Sequence, residues 1–472
     1  MANHQHPLPH IAILPTPGMG HLIPLTELAK RLVNSDNFSV TFLYFAESNS
    51  KSQQAYLSSL PPSITSISLP PVDLGDLPSN AAIETRMSVA SLRSVPSVAN
   101  ILQNLKSKHN LVAFVADLFG ADTFDAAREL NVPAYMFFPS NFLALSLFLN
   151  LPKLHEEIKC EYRDLEQPVK LPGCVPIPGK DLLHPLQDRK DEAYSWLVHH
   201  GEKYSEAEGI LANSFYEFEP EAVEILSRVE PGRPPIYAVG PLIQTGTSDG
   251  VDASGCLAWL NEQPRGSVIF VSFGSGGTLS TEQTRELALG LEMSGQRFLW
   301  VVRSRAMRCD ATIRSESKRD PFEFCPKGSW RGRRGWDGGV IWAPQIKVLS
   351  HVSTGGFLTH CGWNSTLESV VNGVPMIGWP LFAEQRQNAV MLAEGAKVAL
   401  RVRFGVDGVA RKEDISDVVR ELMEGEMGKK VRFRVKELQL AGIRALEEEG
   451  RSSKNLKEVV GKWKGLGAEP LK

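Results

Sequence analysis

The sequence predicts an α/β protein built from two halves of similar size, each around a parallel sheet, and three observations carry that reading. Short apolar runs alternate with longer helix-periodic segments from end to end; glycine-containing turns sit between run and helix; and the alternation stops at a proline-rich stretch and then restarts. In chain order, His10–Leu14 is a first strand, Pro15-Thr-Pro-Gly-Met-Gly-His21 a turn, and Leu22–Val33 a helix by its apolar spacing. Phe38–Phe45, Leu111–Ala116 and Ala134–Phe138 are further strands, β-rich runs of the kind buried on both faces. Pro231, Pro234, Pro235 and Pro241, followed by the polar Thr245–Gly250, mark an interdomain linker. Beyond it Gly266–Gly274, Phe298–Val302, Gly339–Ile341, Gly356–Thr359 and Val374–Ile377 repeat the strand pattern. Arg411–Lys464 is helical and charge-rich, its charges read as a solvated face, with a break at Glu447–Gly450. The expected division is 1–243 and 244–472, with the last helix able to pack back on the first half.

A chain of 472 residues can bury a core in each half, and its composition, 42% hydrophobic and 22% charged, excludes disorder as the main state. Fifty-one Lys plus Arg against 54 Asp plus Glu leave a net charge of −3, which gives no footprint for a nucleic-acid partner. No basic stretch followed by an apolar run precedes Lys30, so no secretory signal is expected. The apolar stretch Phe142–Leu151 is interrupted by Ser146 and Asn150 and falls short of the ~20 residues of a membrane span. Six scattered cysteines without a CxxC pair fit neither a zinc site nor a disulfide framework, and a reducing, cytoplasmic location is expected. The sequons at Asn37 and Asn364 are then chance matches.

Ligands of open α/β sheets sit beyond the carboxyl ends of strands, where glycine turns and helix starts present N–H groups. Two segments of the second half qualify: Ser272-Phe-Gly-Ser-Gly-Gly277, and Thr359-His-Cys-Gly-Trp-Asn-Ser-Thr366. Both suit a phosphate, with His360, Asn364 and Ser365 as side-chain donors beside a helix start; either could also be a plain strand-to-helix turn. No Asp-x-Asp pair and no Walker loop occur, and Gly18-Met-Gly20 does not continue into a dinucleotide fingerprint. In the first half, His21 ends the glycine turn and Asp117 ends a strand expected in the same sheet. They form a candidate base and its orienting carboxylate, against the alternative of a capping or surface histidine.

The stretch Trp342-Ala-Pro-Gln345, His360-Cys-Gly-Trp-Asn-Ser365, Glu368, Gly373-Val-Pro375, Trp379-Pro380 and Ala383-Glu-Gln385 resembles the signature box of plant family 1 UDP-glycosyltransferases over its full length. Pro17–Pro24, Leu69-Pro-Pro-Val72 and Cys160-Glu-Tyr-Arg163 resemble the hydroquinone and phenol branch. The resemblance implies the GT-B fold, two facing Rossmann-like domains with a cleft between them, the first taking the acceptor and the second the nucleotide sugar. It further implies that Trp342 stacks on uracil, the Ala343 backbone meets its edge, Gln345 and Glu368 hold the ribose, and Ser275, His360, Asn364 and Ser365 contact the diphosphate. Trp363, Trp379, Glu384 and Gln385 then lie around the sugar, with Trp363 and Gln385 pointing to UDP-glucose; outside the box, Trp342 and Trp379 would read as core aromatics. No metal or other cofactor is implied, and a monomer is favoured. The implied reaction is one inverting displacement in which His21, oriented by Asp117, deprotonates a small phenol. A glycosidase carboxylate pair is not apparent.

An apolar acceptor pocket of phenol size is expected, with Glu84, Leu118, Phe119, Phe148 and Leu183 as candidates by position, each equally readable as core, and Phe119 favoured because it follows Asp117 closely. The sequence departs from the family between Arg303 and Arg334, where ten basic and four acidic residues replace a usual segment, read as a loop near the donor or an altered reading frame. The rivals are transfer to an aromatic amine or thiol, and a UDP-sugar binder that has lost turnover.

Overall fold

The structure, a computed structural model, describes residues 8–46, 51–245, 252, 254–302, 338–340 and 342–466; the divergent Arg303–Arg334 segment, with Cys309 and Cys325, lies outside the described residues. The chain forms two compact units, Met1–Thr245 with Arg444–Lys472, and Gly246–Ile443. Among the described residues no helix is long and apolar enough to cross a membrane, and Cys160, Cys174, Cys256 and Cys361 are free thiols.

In the first unit, the described strands are β1 (Pro9–Leu14), β2 (Ser39–Phe45), β3 (Ile64–Leu69), β4 (Asn110–Asp117), β5 (Ala134–Phe138), β6 (Gly209–Ala212) and β7 (Ile236–Ala238). They lie in the order β3-β2-β1-β4-β5-β6-β7, and every pair is parallel. The order runs one way from β1 and the other way from β4, so the switch point of the winding lies between these two neighbours, with Leu14 level with Ala116. Ile11 and Ile13 of β1 and the small Ala113 of β4 join one core with Leu25, Leu28 and Leu32 of the helix Met19–Asp36. The leucine spacing puts one apolar stripe of the helix against the sheet, each buried leucine contributing about 1.5–3 kcal/mol.

The second unit repeats the plan. Its described strands β8 (Val268–Ser272), β9 (Arg297–Val301), β10 (Gly338–Val340), β11 (Thr354–Thr359), β12 (Met376–Gly378) and β13 (Ala399–Arg401) form a sheet in the order β10-β9-β8-β11-β12-β13. All pairs are parallel, and the switch point falls between β8 and β11, where Ser272 lies level with Thr359.

The described part of the proline-rich stretch expected as a linker belongs to the first unit. Strand β7 lies inside it, and Val239 and Leu242 are buried. Proline lacks the N–H that a central strand must donate, but β7 is an edge strand that starts just after Pro235, whose carbonyl accepts from Ile210 N at 2.9 Å. The change of unit comes only after Thr245.

Candidate active site

Each sheet carries a glycine turn at its switch point, and the candidate residues are built on those turns. In the first unit the chain leaves β1 through Thr16 and enters the helix Met19–Asp36 after Gly18, whose φ of 123° is one that side chains rarely adopt. His21 stands in the first turn of that helix. Its Nδ1 lies 2.8 Å from Asp117 Oδ2 at the end of β4. Asp117 is fully buried, while the His21 side chain is 22% exposed, so one edge of the imidazole reaches solvent. The Thr16 backbone N–H donates to Asp117 Oδ2 at 2.9 Å, and the Thr16 hydroxyl donates to Oδ1. Two donors of Thr16 and the His21 ring nitrogen thus converge on one buried carboxyl.

Most of the acceptor-side candidates gather next to this pair. Leu118 and Phe119 follow Asp117 and are nearly buried; the Phe119 ring lies 6.4 Å from that of His21 and packs its edge on His200 at 5.5 Å. His200 Nε2 lies 2.8 Å from Ser88 Oγ, which donates to the Glu84 carbonyl at 2.8 Å. Burial pushes the Glu84 carboxyl up, and nearby His184 pulls it back. Phe148 stacks on Tyr204 at 5.5 Å, and the Tyr204 hydroxyl donates to the Leu118 carbonyl at 2.9 Å. Burial first, and Asp117 second, hold that phenol well above its ordinary pKa, so it stays a neutral donor. Phe148 is placed by the helix Phe142–Glu157, whose first N–H groups are received by Glu219 at 3.0 and 2.9 Å. Leu183 is buried and precedes His184, the residue whose charge acts on Glu84. A small hollow beside Thr16 adds Leu14, Pro17, Phe45 and Met87 to the apolar surroundings, residues that sequence reasoning missed.

In the second unit, the turns after β8 and β11 close on His360. A Cβ on Gly274, where φ is +70°, would fall 2.7 Å from the imidazole, and one on Gly362 would fall 2.4 Å from Nε2; the two glycines therefore form its walls. His360 Nδ1 is buried without a hydrogen-bond partner, and burial lowers its pKa to about 4, so the ring is neutral at pH 7. The helix Trp363–Val371 begins next to it at Gly362, pointing its first N–H groups and positive dipole end at the turn. Asn364 and Ser365 stand in its first turn, and Ser275 is exposed on the turn after β8. Gln345 Nε2 donates to Ser365 Oγ at 2.9 Å and to Glu368 Oε2 at 2.7 Å, binding three of the expected donor-side residues into one network.

Around them, Trp342 presents a ring that is 44% exposed, followed at once by buried Ala343. Trp379 is different: 1% exposed, with its ring edge-on to Phe273 and Phe404, it is a core aromatic beneath the site rather than an open surface. Trp363 is also buried. Gln385 Oε1 accepts from the N–H groups of Leu381 and Phe382 at 2.8 and 3.1 Å, and Asn388, which sequence reasoning missed, ties the Cys361 carbonyl at 3.0 Å to the Glu384 carboxylate at 3.5 Å. The loop that carries Glu384 is thereby fixed against the His360 turn.

Residues 245–439, which hold this second group entirely, match the family described as UDP-glucoronosyl and UDP-glucosyl transferase. UDP-glycosyltransferase 72B1 of Arabidopsis thaliana is 53% identical over 97% of this chain and 96% of its own. The chain belongs to the plant family 1 UDP-glycosyltransferases. Hydroquinone glucosyltransferase of Rauvolfia serpentina is 51% identical over 96% of this chain and 98% of its own. Among solved structures, a UDP-glucosyltransferase from Polygonum tinctorium capable of glucosylating indoxyl, in complex with 3,4-dichloroaniline, superposes with a TM-score of 0.89 at 49% identity, covering 97% of this chain and 99% of that one. The two Rossmann-like sheets are thus those of the GT-B fold, and this glycosyltransferase is an enzyme that uses a UDP-sugar and a small acceptor. The relatives match both units, so the likeness extends well beyond the signature stretch.

Proposed function

We propose that this glycosyltransferase moves glucose from UDP-glucose to the hydroxyl of small phenols by a single inverting displacement that needs no metal. The observation that carries the proposal is the His21–Asp117 pair, at 2.8 Å, on the switch point of the first sheet. An ionised Asp117 can only accept, so it keeps the hydrogen of His21 on Nδ1 and the lone pair on Nε2. His21 Nε2 takes the phenolic proton, the phenol oxygen attacks the anomeric carbon, the bond from that carbon to the diphosphate breaks, and UDP leaves a β-glucoside behind.

The second unit supplies the donor-side groups. Trp342 offers its exposed face to uracil and the Ala343 backbone meets the base edge, while Gln345 and Glu368, already joined at 2.7 Å, receive the ribose hydroxyls. Ser275, His360, Asn364, Ser365 and the helix start at Trp363 hold the diphosphate, whose growing charge is met by N–H groups fixed before reaction. Trp363, Glu384 and Gln385 lie around the sugar, with Trp379 supporting them from below. Glu84, Leu118, Phe119, Phe148 and Leu183 shape the acceptor side. The first unit is the acceptor-binding domain, the second the UDP-sugar domain, and the chain acts as a monomer in the cytoplasm.

The hydroquinone and indoxyl specificities of the relatives favour phenols of one or two rings, and the dichloroaniline bound to one of them favours aromatic amines as a second acceptor class. The test is UDP release from the purified full chain with UDP-glucose and hydroquinone, a monolignol, a flavonol, an indolic phenol or 3,4-dichloroaniline, with and without EDTA, and proton NMR of the product anomer. Turnover on small phenols that survives EDTA and gives the β anomer is expected. His21→Ala should lower kcat at least about a hundredfold while leaving UDP binding intact. An α product, turnover lost to EDTA, or an unchanged His21→Ala rate each sinks part of the mechanism; UDP binding without any turnover selects the inactive-binder reading.

A further inference from the structure

Behind the Phe119 ring lies a cluster that the transfer reaction does not use. Asp122 sits in the turn Ala121–Thr123 after β4, and His199 and His200 are adjacent on the helix Glu192–Lys203. One ligating atom from each of the three lies within 4.8 Å of the other two. His199 Nε2 lies 2.7 Å from Asp122 Oδ1. Ser88 commits its hydroxyl hydrogen to the Glu84 carbonyl, so it receives the hydrogen of His200 Nε2, and the lone pair of His200 falls on Nδ1.

That Nδ1 is buried without a hydrogen-bond partner, and so is Asp122 Oδ2. Asp122 is 4% exposed and His200 fully buried. Two buried acceptors lacking a donor, beside a third possible ligand, are costly unless something positive joins them. The Trp196 ring packs against both imidazoles, at 5.4 and 6.0 Å, and limits their rotation. The His199 side chain is 37% exposed and gives an ion a way in from solvent.

We propose that Asp122, His199 and His200 form a site for a divalent transition-metal ion of the zinc class, completed by water. Two imidazoles and one carboxylate suit zinc, cobalt or nickel and do not suit magnesium or calcium, which take oxygen ligands. A tetrahedral ion holds its ligand atoms about 3.3 Å apart, so the His199–Asp122 pair, at 2.7 Å, must open by roughly half an ångström while wider separations within the 4.8 Å cluster close by an ångström or so. On binding, the hydrogen on His199 Nε2 passes through solvent to Nδ1, so the ring binds as a neutral imidazole, and an ion–nitrogen bond replaces the hydrogen bond to Asp122. With the hydrogen of His200 held on Nε2 by Ser88, its Nδ1 lone pair is already placed for an ion. Since the Phe119 edge rests on His200, a filled site would also fix the wall of the acceptor side.

The experiment titrates untagged, chelator-stripped full-length protein with Zn²⁺ by calorimetry and with Co²⁺ by visible absorption. One ion per chain, cobalt bands of low coordination number and a zinc-dependent rise in Tm are expected. His199→Ala, at a half-exposed position that the core does not depend on, should weaken zinc at least about a hundredfold and abolish the cobalt bands, and Asp122→Asn should do the same. A control, His4→Ala with His6→Ala, removes the two histidines nearest the start of the sequence and should leave binding intact. No binding by the unaltered protein, binding unchanged in His199→Ala, or binding lost in the His4/His6 variant overturns the site. None of these readouts depends on glucosyl transfer, so failure here is distinct from failure of the proposed reaction.

Discussion

Asp117 does two things with one carboxylate, and the difference between them can be measured. It takes the Thr16 N–H and hydroxyl, which ties the turn after β1 to the end of β4, and it takes His21 Nδ1. Asp117→Asn preserves size but replaces one acceptor oxygen with a donor. Either Thr16 or His21 then meets an NH₂ group, and His21 loses the carboxylate that stabilises its imidazolium. The expected outcome is a fall in kcat of about 10³–10⁴, with KM for UDP-glucose nearly unchanged because the donor-side residues are all in the other unit. A mutant that keeps kcat but loses Tm would make Asp117 a structural anchor only. At this scale the sequence shows unevenly. The residues from Trp342 to Gln385 are contiguous, so their pattern can be recognised as a block. Thr16, Ser88, His200 and Tyr204 come from four separate elements and meet only in the fold, and nothing in a Pro-Thr-Pro turn announces that its hydroxyl faces a strand a hundred residues away.

The elements that carried the prediction are those buried on both faces. Strands β1, β2, β4, β5, β8 and β11 are rich in apolar residues, buried along nearly their whole length, and stand in the middle of their sheets or nearly so. Strand β3 was not legible because it is an edge strand whose central residues Thr65, Ser66, Ile67 and Ser68 are exposed, while β6, β7 and β13 are too short to show a period. The glycine turns were legible as turns, but not as the two walls of one imidazole. Gly362 tests that arrangement cleanly, since its φ of −64° suits alanine and only the side chain intrudes, 2.4 Å from His360 Nε2. Gly362→Ala should weaken UDP by roughly ten- to a hundredfold in calorimetry while costing little stability, as expected for the loss of one or two hydrogen bonds to a charged group. Unchanged affinity would remove His360 from the diphosphate site. Strand β1 makes a second prediction. His10 is buried against His109 at 4.5 Å, bonded to Ser39 and Thr41, and burial followed by the His109 charge lowers its pKa to about 4. A base whose folded pKa is depressed contributes stability above its unfolded pKa of about 6.5 and loses it as pH falls toward 4. His10→Gln should therefore flatten the decline of Tm between these values, by up to about 3 kcal/mol at the acid end. A parallel decline in both proteins would show that other groups govern acid unfolding.

At the scale of the whole chain, the first unit is not a continuous segment. The polypeptide leaves it after Thr245, builds the second unit, and returns at Arg444. The returning helix Arg451–Leu466 is polar on most of its length, yet Leu456, Val459, Val460 and Trp463 join the core of the first sheet. Trp463, fully buried, meets Tyr135 at 5.2 Å and Phe38 at 6.1 Å, both edge-on. Polar contacts fix the register: Asn455 donates to the Ala238 carbonyl at 2.9 Å and Ser452 to that of Gly240 at 2.6 Å, both on the segment around β7. The helix Arg451–Leu466 thus covers the segment around β7, and the first unit cannot be complete until the second has been synthesised. Trp463→Ala removes a large buried ring from a site bounded by sheet, so little can collapse into the space, and the cost should be about 3–5 kcal/mol. Because the loss falls on the first unit, glucosyl transfer should fail at a temperature where UDP still binds the second, which parallel thermal series of turnover and UDP calorimetry would resolve. Loss of both at one temperature would mean that the two units unfold as one cooperative body, and the stability of the donor site would then depend on a tryptophan that belongs to the other core.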